Sequence, residues 1–246
     1  MRWSSFLFGL TLTALLAPVG AQSQTLIAQY YRCDTANEDE ADFIMNTVFS
    51  PILDRHESAG GLTGWGWVEH AAGGPWRRIS TLTAPDRTTA LNTWAQINEE
   101  LEEEHPGAVH RFNEICGSHD DYFWNLDASS EGTDPGATPE AWISTYWVCN
   151  ESTEARADEL QSQLSQVYDK HIAAGHISGW SWYSHELGGR FRRLLTVSGT
   201  DFPSVMDGRE MVINELQADH SEALAEFGSI CSSHVDYLWQ NGRSNQ

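Results

Sequence analysis

The sequence predicts an α+β protein built from two tandem βαββαβ repeats. Three observations carry this expectation. GWGWVEHAAGGPWRR at 64–78 returns as GWSWYSHELGGRFRR at 179–193, and ICGSHDDYFW at 115–124 returns as ICSSHVDYLW at 230–239 in the same register. Both copies place aromatic runs and helical runs in one order. The four cysteines fall at equivalent places, Cys33 and Cys116 in one copy, Cys149 and Cys231 in the other. Self-similarity at a fixed period marks a repeated structural unit.

The chain opens with Met1-Arg2, an apolar run from Phe6 to Ala17, and the small residues Val19-Gly20-Ala21. That is the pattern of a cleaved secretory signal over 1–21, too short to span a bilayer. The expected location is secreted or periplasmic, with no membrane contact after cleavage. The first repeat is expected over 25–126 and the second over 142–241. The Ser-, Gly- and Pro-rich stretch 127–141 reads as a linker.

Each unit starts with a short aromatic strand ending in cysteine, YYRC at 30–33 and YWVC at 146–149. A helix follows. Ala41, Ile44, Met45, Val48, Phe49, Ile52 and Leu53 lie on one helical face, as do Ala157, Leu160, Leu164, Val167 and Tyr168. Thr35 and Glu38 have capping-box spacing, Pro51 predicts a kink or an early end, and Gly60, Gly61 and Gly175 supply stops. A strand with alternating tryptophans comes next, then a Gly-Gly turn (Gly73-Gly74; Gly188-Gly189) and a strand opening on two arginines. A second helical region spans 88–115, interrupted at Pro106-Gly107, and a last strand follows the second cysteine. This order is the ferredoxin-like split βαβ. Its sheet order, 4-1-3-2, puts the end of strand 1 beside the start of strand 4. Of the three possible pairings, the topology selects Cys33–Cys116 and Cys149–Cys231. Each closes a long loop, worth about 4–5 kcal/mol in the chain-entropy description.

Composition narrows the function classes. Asp and Glu number 35 against 14 Lys and Arg, giving a net charge of −21. Binding through a phosphate backbone needs clustered cations, so no nucleic-acid partner is expected. Lys170 is the only lysine, and so acidic a surface suits a salty medium.

Eight of the ten histidines pair between copies: His56/His171, His70/His185, His105/His220 and His119/His234. The topology gathers His70, Arg77, Arg78 and His119 at one end of the sheet, with His185, Arg192, Arg193 and His234 likewise. His70 and His185 are candidate catalytic bases, and the four arginines candidate anion clamps. The alternative is that the arginines pair with the hairpin's own acids, including Glu69 and Glu186. His119 with Asp121, and His234 with Asp236, lie two apart on a strand and face one way, either as a ligand-binding pair or as a brace beside the disulfide. His70 and His119 are separated by three strand spacings, roughly 14 Å, too far for one ion, so no metal site is expected within a unit. His56 and His171 read as helix C-terminal cations, and His105 and His220 as surface residues. Trp65, Trp67, Tyr31 and Trp124, with Trp180, Trp182, Trp147 and Trp239, either pack under the helices or line the space between the two sheets as an aromatic pocket.

Two such units in one chain resemble the dimeric α+β barrel superfamily, in which two sheets pack face to face. The resemblance rests on element order, covers both repeats and carries over no catalytic residue. It implies a single-chain pseudo-dimeric barrel. It also brings in an enzyme alternative, monooxygenase-like or haem-related, with the paired histidines as axial ligands by analogy only. From the residues themselves the expected function is a small-molecule binding module without a cofactor. The second reading is an enzyme using His70 or His185, and the third a structural or interaction protein.

Overall fold

The computed structural model describes residues 24–132 and 139–245. The signal segment 1–21 lies outside them. The first half contains β1 (Thr25–Arg32), α1 (Glu38–Ile44), a π-helical turn (Met45–Phe49), α2 (Ser50–Ser58), β2 (Gly64–Ala72), β3 (Arg78–Ala84), α3 (Arg87–Glu104), α4 (Pro106–Cys116) and β4 (Ser118–Glu131). The second contains β5 (Ala141–Val148), α5 (Glu154–Ala173), β6 (Gly179–Leu187), β7 (Arg193–Gly199), α6 (Phe202–Asp219), α7 (Ser221–Ile230) and β8 (Ser233–Asn245).

The eight strands close into one antiparallel barrel in the order β1-β3-β2-β8-β5-β7-β6-β4. Closure depends on the last strand of each half. Residues 118–125 of β4 pair with β1, while residues 123–131 pair with β6 of the other half. β8 pairs likewise with β5 and then with β2. Asp127–Glu131 are therefore strand, not linker. Their backbone groups are satisfied across the halves, and the barrel keeps no free edge. The disulfides are Cys33–Cys116 and Cys149–Cys231.

Three apolar clusters divide the interior. One packs α1–α4 on the outer face of the first sheet, and one packs α5–α7 on the second. The third fills the barrel itself and is mostly aromatic, including Tyr30, Trp76, Tyr122, Trp124, Tyr146, Phe191, Tyr237 and Trp239. In β1, Tyr30 points into the barrel and Tyr31 toward the helices, as the period of a strand requires.

Two local expectations are corrected. Thr35 does not cap the first helix: Asn37 holds that position without a side-chain cap bond, and Glu38 bonds to arginines instead. Pro51 does not end the helix. The first copy carries one residue more than the second between its two tryptophan-bound aspartates, Asp42 and Asp54, than lies between Asp158 and Asp169. The π-helical turn Met45–Phe49 absorbs it, which keeps both aspartates in register with Trp67 and Trp65. Pro51, without an N–H, sits in the first turn of α2, directly after that widening.

Candidate functional site

The rim of the barrel where β1 and β5 end and β4 and β8 begin collects most of the duplicated polar residues. There the two Gly-Gly hairpins cross over to the opposite half. A Cβ at Gly74 would lie 2.3 Å from Tyr237 Oη, and one at Gly189 2.4 Å from Tyr122 Oη. At Gly73 and Gly188, whose φ are +125° and +136°, a Cβ would lie 2.7 Å from the Asp236 and Asp121 carbonyl oxygens. Only glycine tolerates both that backbone and that approach. The repeated GG and DY strings are therefore two sides of one contact between the halves.

β2 runs to this rim and carries His70 two residues beyond lumen-facing Val68, so both side chains share a face. Arg77 Nη1 donates to His70 Nδ1 at 2.5 Å, and Arg192 Nη1 donates to His185 Nδ1 at 2.8 Å. A guanidinium has no acceptor. Each Nδ1 must therefore be the bare nitrogen, and the neutral ring carries its proton on Nε2. The Nδ1 lone pair of each of these two candidate bases is therefore already occupied by an arginine N–H. Nε2 of each ring is buried without a well-formed hydrogen bond, although the Gly73 and Gly188 carbonyls lie close enough to oppose the lowering of the imidazoles. The rings stand edge-on to aromatics of the other half, His70 at 5.7 Å from Trp239 and His185 at 5.9 Å from Trp124. Trp239 Nε1 is a buried donor without an acceptor.

The strand-3 arginines are not free clamps. Arg77 is bidentate to Glu38 at 2.6 and 3.1 Å, and Arg192 to Glu154 at 2.8 and 2.9 Å. Arg78 is bidentate to Asp42 at 2.7 Å on both arms, and Arg193 to Asp158 at 2.6 Å on both. The acids come from the first helix of each half. Glu69 instead accepts from Gln240, and Glu186 pairs with Arg87.

The other candidates lie elsewhere. His119 and Asp121 face outward, 2.8 Å apart, with the imidazole against Tyr31. His234 lies 3.6 Å from Asp236, which also takes Arg209. Trp65, Trp67, Trp180 and Trp182 belong to the helix-facing cores, with their indole N–H groups on Asp54, Asp42, Asp169 and Asp158. They do not line the space between the sheets. Trp124 and Trp239 do. His56 Nε2 lies 3.0 Å from Glu100, and His171 Nε2 3.3 Å from Glu215, so both tie helix to helix. His105 and His220 hold the N-cap positions of α4 and α7. Sequence reasoning missed Trp76 and Phe191 on the turns and Tyr30, Tyr122, Tyr146 and Tyr237 on the strands. Strand alternation away from Trp65 and from Tyr31 would have found the strand residues.

Burial, then the Arg77 charge, hold His70 below the ordinary 6.5, with Glu38 and the Gly73 carbonyl opposing. For His185 burial and Arg192 act in the same sense. Burial alone would raise Glu38, but Arg77 and Arg78 outweigh it and hold it below 4.5; Arg192 does the same for Glu154. The unfolded chain therefore takes up imidazole protons first as pH falls, so stability present above 6.5 declines below it. The carboxylates add a second loss as pH falls below 4.5 toward their folded values. A melting-temperature profile from about pH 8 to 4 should show both steps, and His70→Gln with His185→Gln should shrink the first and keep the second. An unchanged first step in that variant would show that these imidazoles do not carry it.

The closed antiparallel barrel with helices on its outer face defines the fold class: the chain has the dimeric α+β barrel fold. It is similar over 91% of its length, and 96% of the other chain, to a “putative monooxygenase” from Lactobacillus acidophilus NCFM, at TM-score 0.60 and 6% identity. An anthrone oxidase-like protein matches at TM-score 0.58 and 10% identity, with 91% and 93% of the two chains covered. A chlorite dismutase variant from Candidatus Nitrospira defluvii matches at 0.55 and 9%, with 90% and 92% covered. No protein-family model and no curated protein matches the sequence. Likeness at these identities establishes the shared fold.

Haem would need an apolar slot beside a free imidazole. The barrel-facing histidines have Nδ1 bound to arginine and their edges against packed aromatics. His119 and His234 stand exposed beside carboxylates. A surface depression of about 490 Å³ touches His220, but Asp219, Glu222, Glu226 and Arg156 surround it. The described residues do not fit a haem site. They also contain no cluster of three or more His, Cys, Asp or Glu able to hold a metal ion.

Proposed function

We propose that this protein binds a flat aromatic molecule bearing acceptor oxygens inside the barrel, at the rim closed by the two Gly-Gly hairpins. One observation carries the reading: His70 Nε2, His185 Nε2 and Trp239 Nε1 are buried donors without a well-formed hydrogen bond, set among aromatic rings. An unpaired buried donor costs about 1–3 kcal/mol, and a ligand carbonyl or phenolic oxygen would remove that cost. Entry requires a hairpin to lift from the opposing tyrosine and the rings to rearrange. The halves act as two ferredoxin-like repeats, 25–126 and 142–241, each contributing one imidazole. Two disulfides, the leader pattern at 1–21 and the absence among the described residues of any helix able to cross a membrane support an exported protein.

Anthrone is a suitable probe, because the barrel resembles that of an anthrone oxidase-like protein. Under nitrogen, anthrone should quench the tryptophan fluorescence saturably, and His70→Phe with His185→Phe should weaken binding about tenfold or more. Absence of saturable quenching by anthrone, or equal affinity in that variant, overturns the reading. The likeness to oxidising enzymes favours a second reading, turnover. Under air, each anthrone would then consume one O2, giving the quinone and one water. Binding without oxygen uptake separates a binding module from an enzyme.

A further inference from the structure

The two halves share their rim motif, and the places where they differ at that rim converge. In the first half Arg32 and Trp76 Nε1 both bond to Asp120. The equivalent positions in the second half are Val148, Phe191 and Val235. Where the first half has Pro75, the second has Arg190, whose guanidinium lies 5.0 Å from the Phe191 ring centre. Trp76 and Phe191 are themselves in edge contact at 5.9 Å, so both sets of departures meet at one mouth of the barrel.

Arg190 stands apart in its charge environment. Every other Arg or Lys whose side chain is described has a carboxylate partner. Arg190 is exposed and has none, in a chain with 35 acidic residues. A free arginine on so acidic a protein would ordinarily be met by a carboxylate. Held over an aromatic ring at a barrel mouth, it is instead presented to whatever approaches from outside. Burial raises both rim tyrosines, Tyr122 and Tyr237, and the Arg190 charge is one of the weaker influences opposing it. Arg32 is neutralised by Asp120, so Arg190 supplies the net positive charge of this mouth.

We propose that Arg190 forms the charge-reading part of the site and that the ligand is a small aromatic monoanion, a carboxylate or phenolate. Its charge meets Arg190, and its ring lies toward Phe191 and Trp76. This rests on the proposed barrel site and names the class of molecule that enters it. The guanidinium fork suits a carboxylate. A chain of net charge −21 repels anions in general, so any preference for one must be made locally.

The test compares anthraquinone-2-carboxylate with neutral anthraquinone by tryptophan quenching, in the native chain and in Arg190→Gln. The native chain should prefer the carboxylate. Arg190→Gln should weaken the carboxylate about tenfold or more, as loss of a charged hydrogen bond does, while leaving the neutral quinone within about twofold and the melting temperature unchanged. Equal binding of the two probes by the native chain, or a carboxylate affinity untouched by Arg190→Gln, overturns the anion reading and leaves the barrel site standing. Binding of neither probe overturns both.

Discussion

Asp42→Ala should destabilise the protein by about 1–3 kcal/mol, because it takes from buried Arg78 its bidentate partner and leaves Glu38 as the remaining carboxylate. The Arg78 side chain is only 6% exposed; its Nε and Nη2 end on Asp42, and its Nη1 reaches Glu38 at 3.2 Å. Asp42 also accepts the Trp67 indole N–H at 2.7 Å, so the same change strands a second buried donor. Asp158→Ala should act alike in the other half, through Arg193 and Trp182. Adding Arg78→Met to Asp42→Ala should recover part of the loss, since an apolar replacement removes a buried charge that has lost its bidentate partner. Urea midpoints of the single and double variants give the answer. A single variant within about 0.5 kcal/mol of the parent would mean that the network contributes nothing net.

Removing the Cys33–Cys116 bridge with two alanines should cost about 4–5 kcal/mol, and removing Cys149–Cys231 a similar amount. Their sequence separations, 83 and 82, make the loops nearly equal. Each bridge stays within its own half and joins the end of the first strand to the end of the helix before the last. The two losses should therefore add, as they do for sites that share no partners. Strong non-additivity would show that one half holds the other folded. The extended last strands make that coupling a real alternative, because β4 and β8 each pair across the halves.

The His–Arg–Glu group at each hairpin forms a chain of contacts that orients the imidazole against the opposite half. Glu38 fixes Arg77, Arg77 fixes the tautomer of His70, and His70 stands against Trp239 of the opposite half. The Gly73-Gly74 turn then packs on Tyr237. Residues kept in both copies thus serve the contact between the copies. Arg32, Trp76, Asp120 and Arg190 are the rim side chains that differ between the copies.

Much of this architecture was legible in the sequence. The duplication, the strand and helix order and the pairing of the cysteines follow from periodicity, glycine placement and strand adjacency, all properties of the local chain. The clustering of His70, Arg77, His185 and Arg192 at one rim followed from topology. Other features were not readable because they depend on contacts between distant segments. The linker reading of Asp127–Glu131 failed because local composition says nothing about the partner strand β6 waiting for those backbone groups. The tryptophans were placed on an undetermined face because alternation fixes which residues share a side, not which side looks inward. The arginines' partners, Glu38, Asp42, Glu154 and Asp158, lie far away along the chain, and the tautomers of the imidazoles follow from those partners. The sequence by itself determined the repeated unit and its covalent ties. Only the tertiary structure decided the state of each polar group, since protonation and availability are set by what the fold brings within about 3 Å of it.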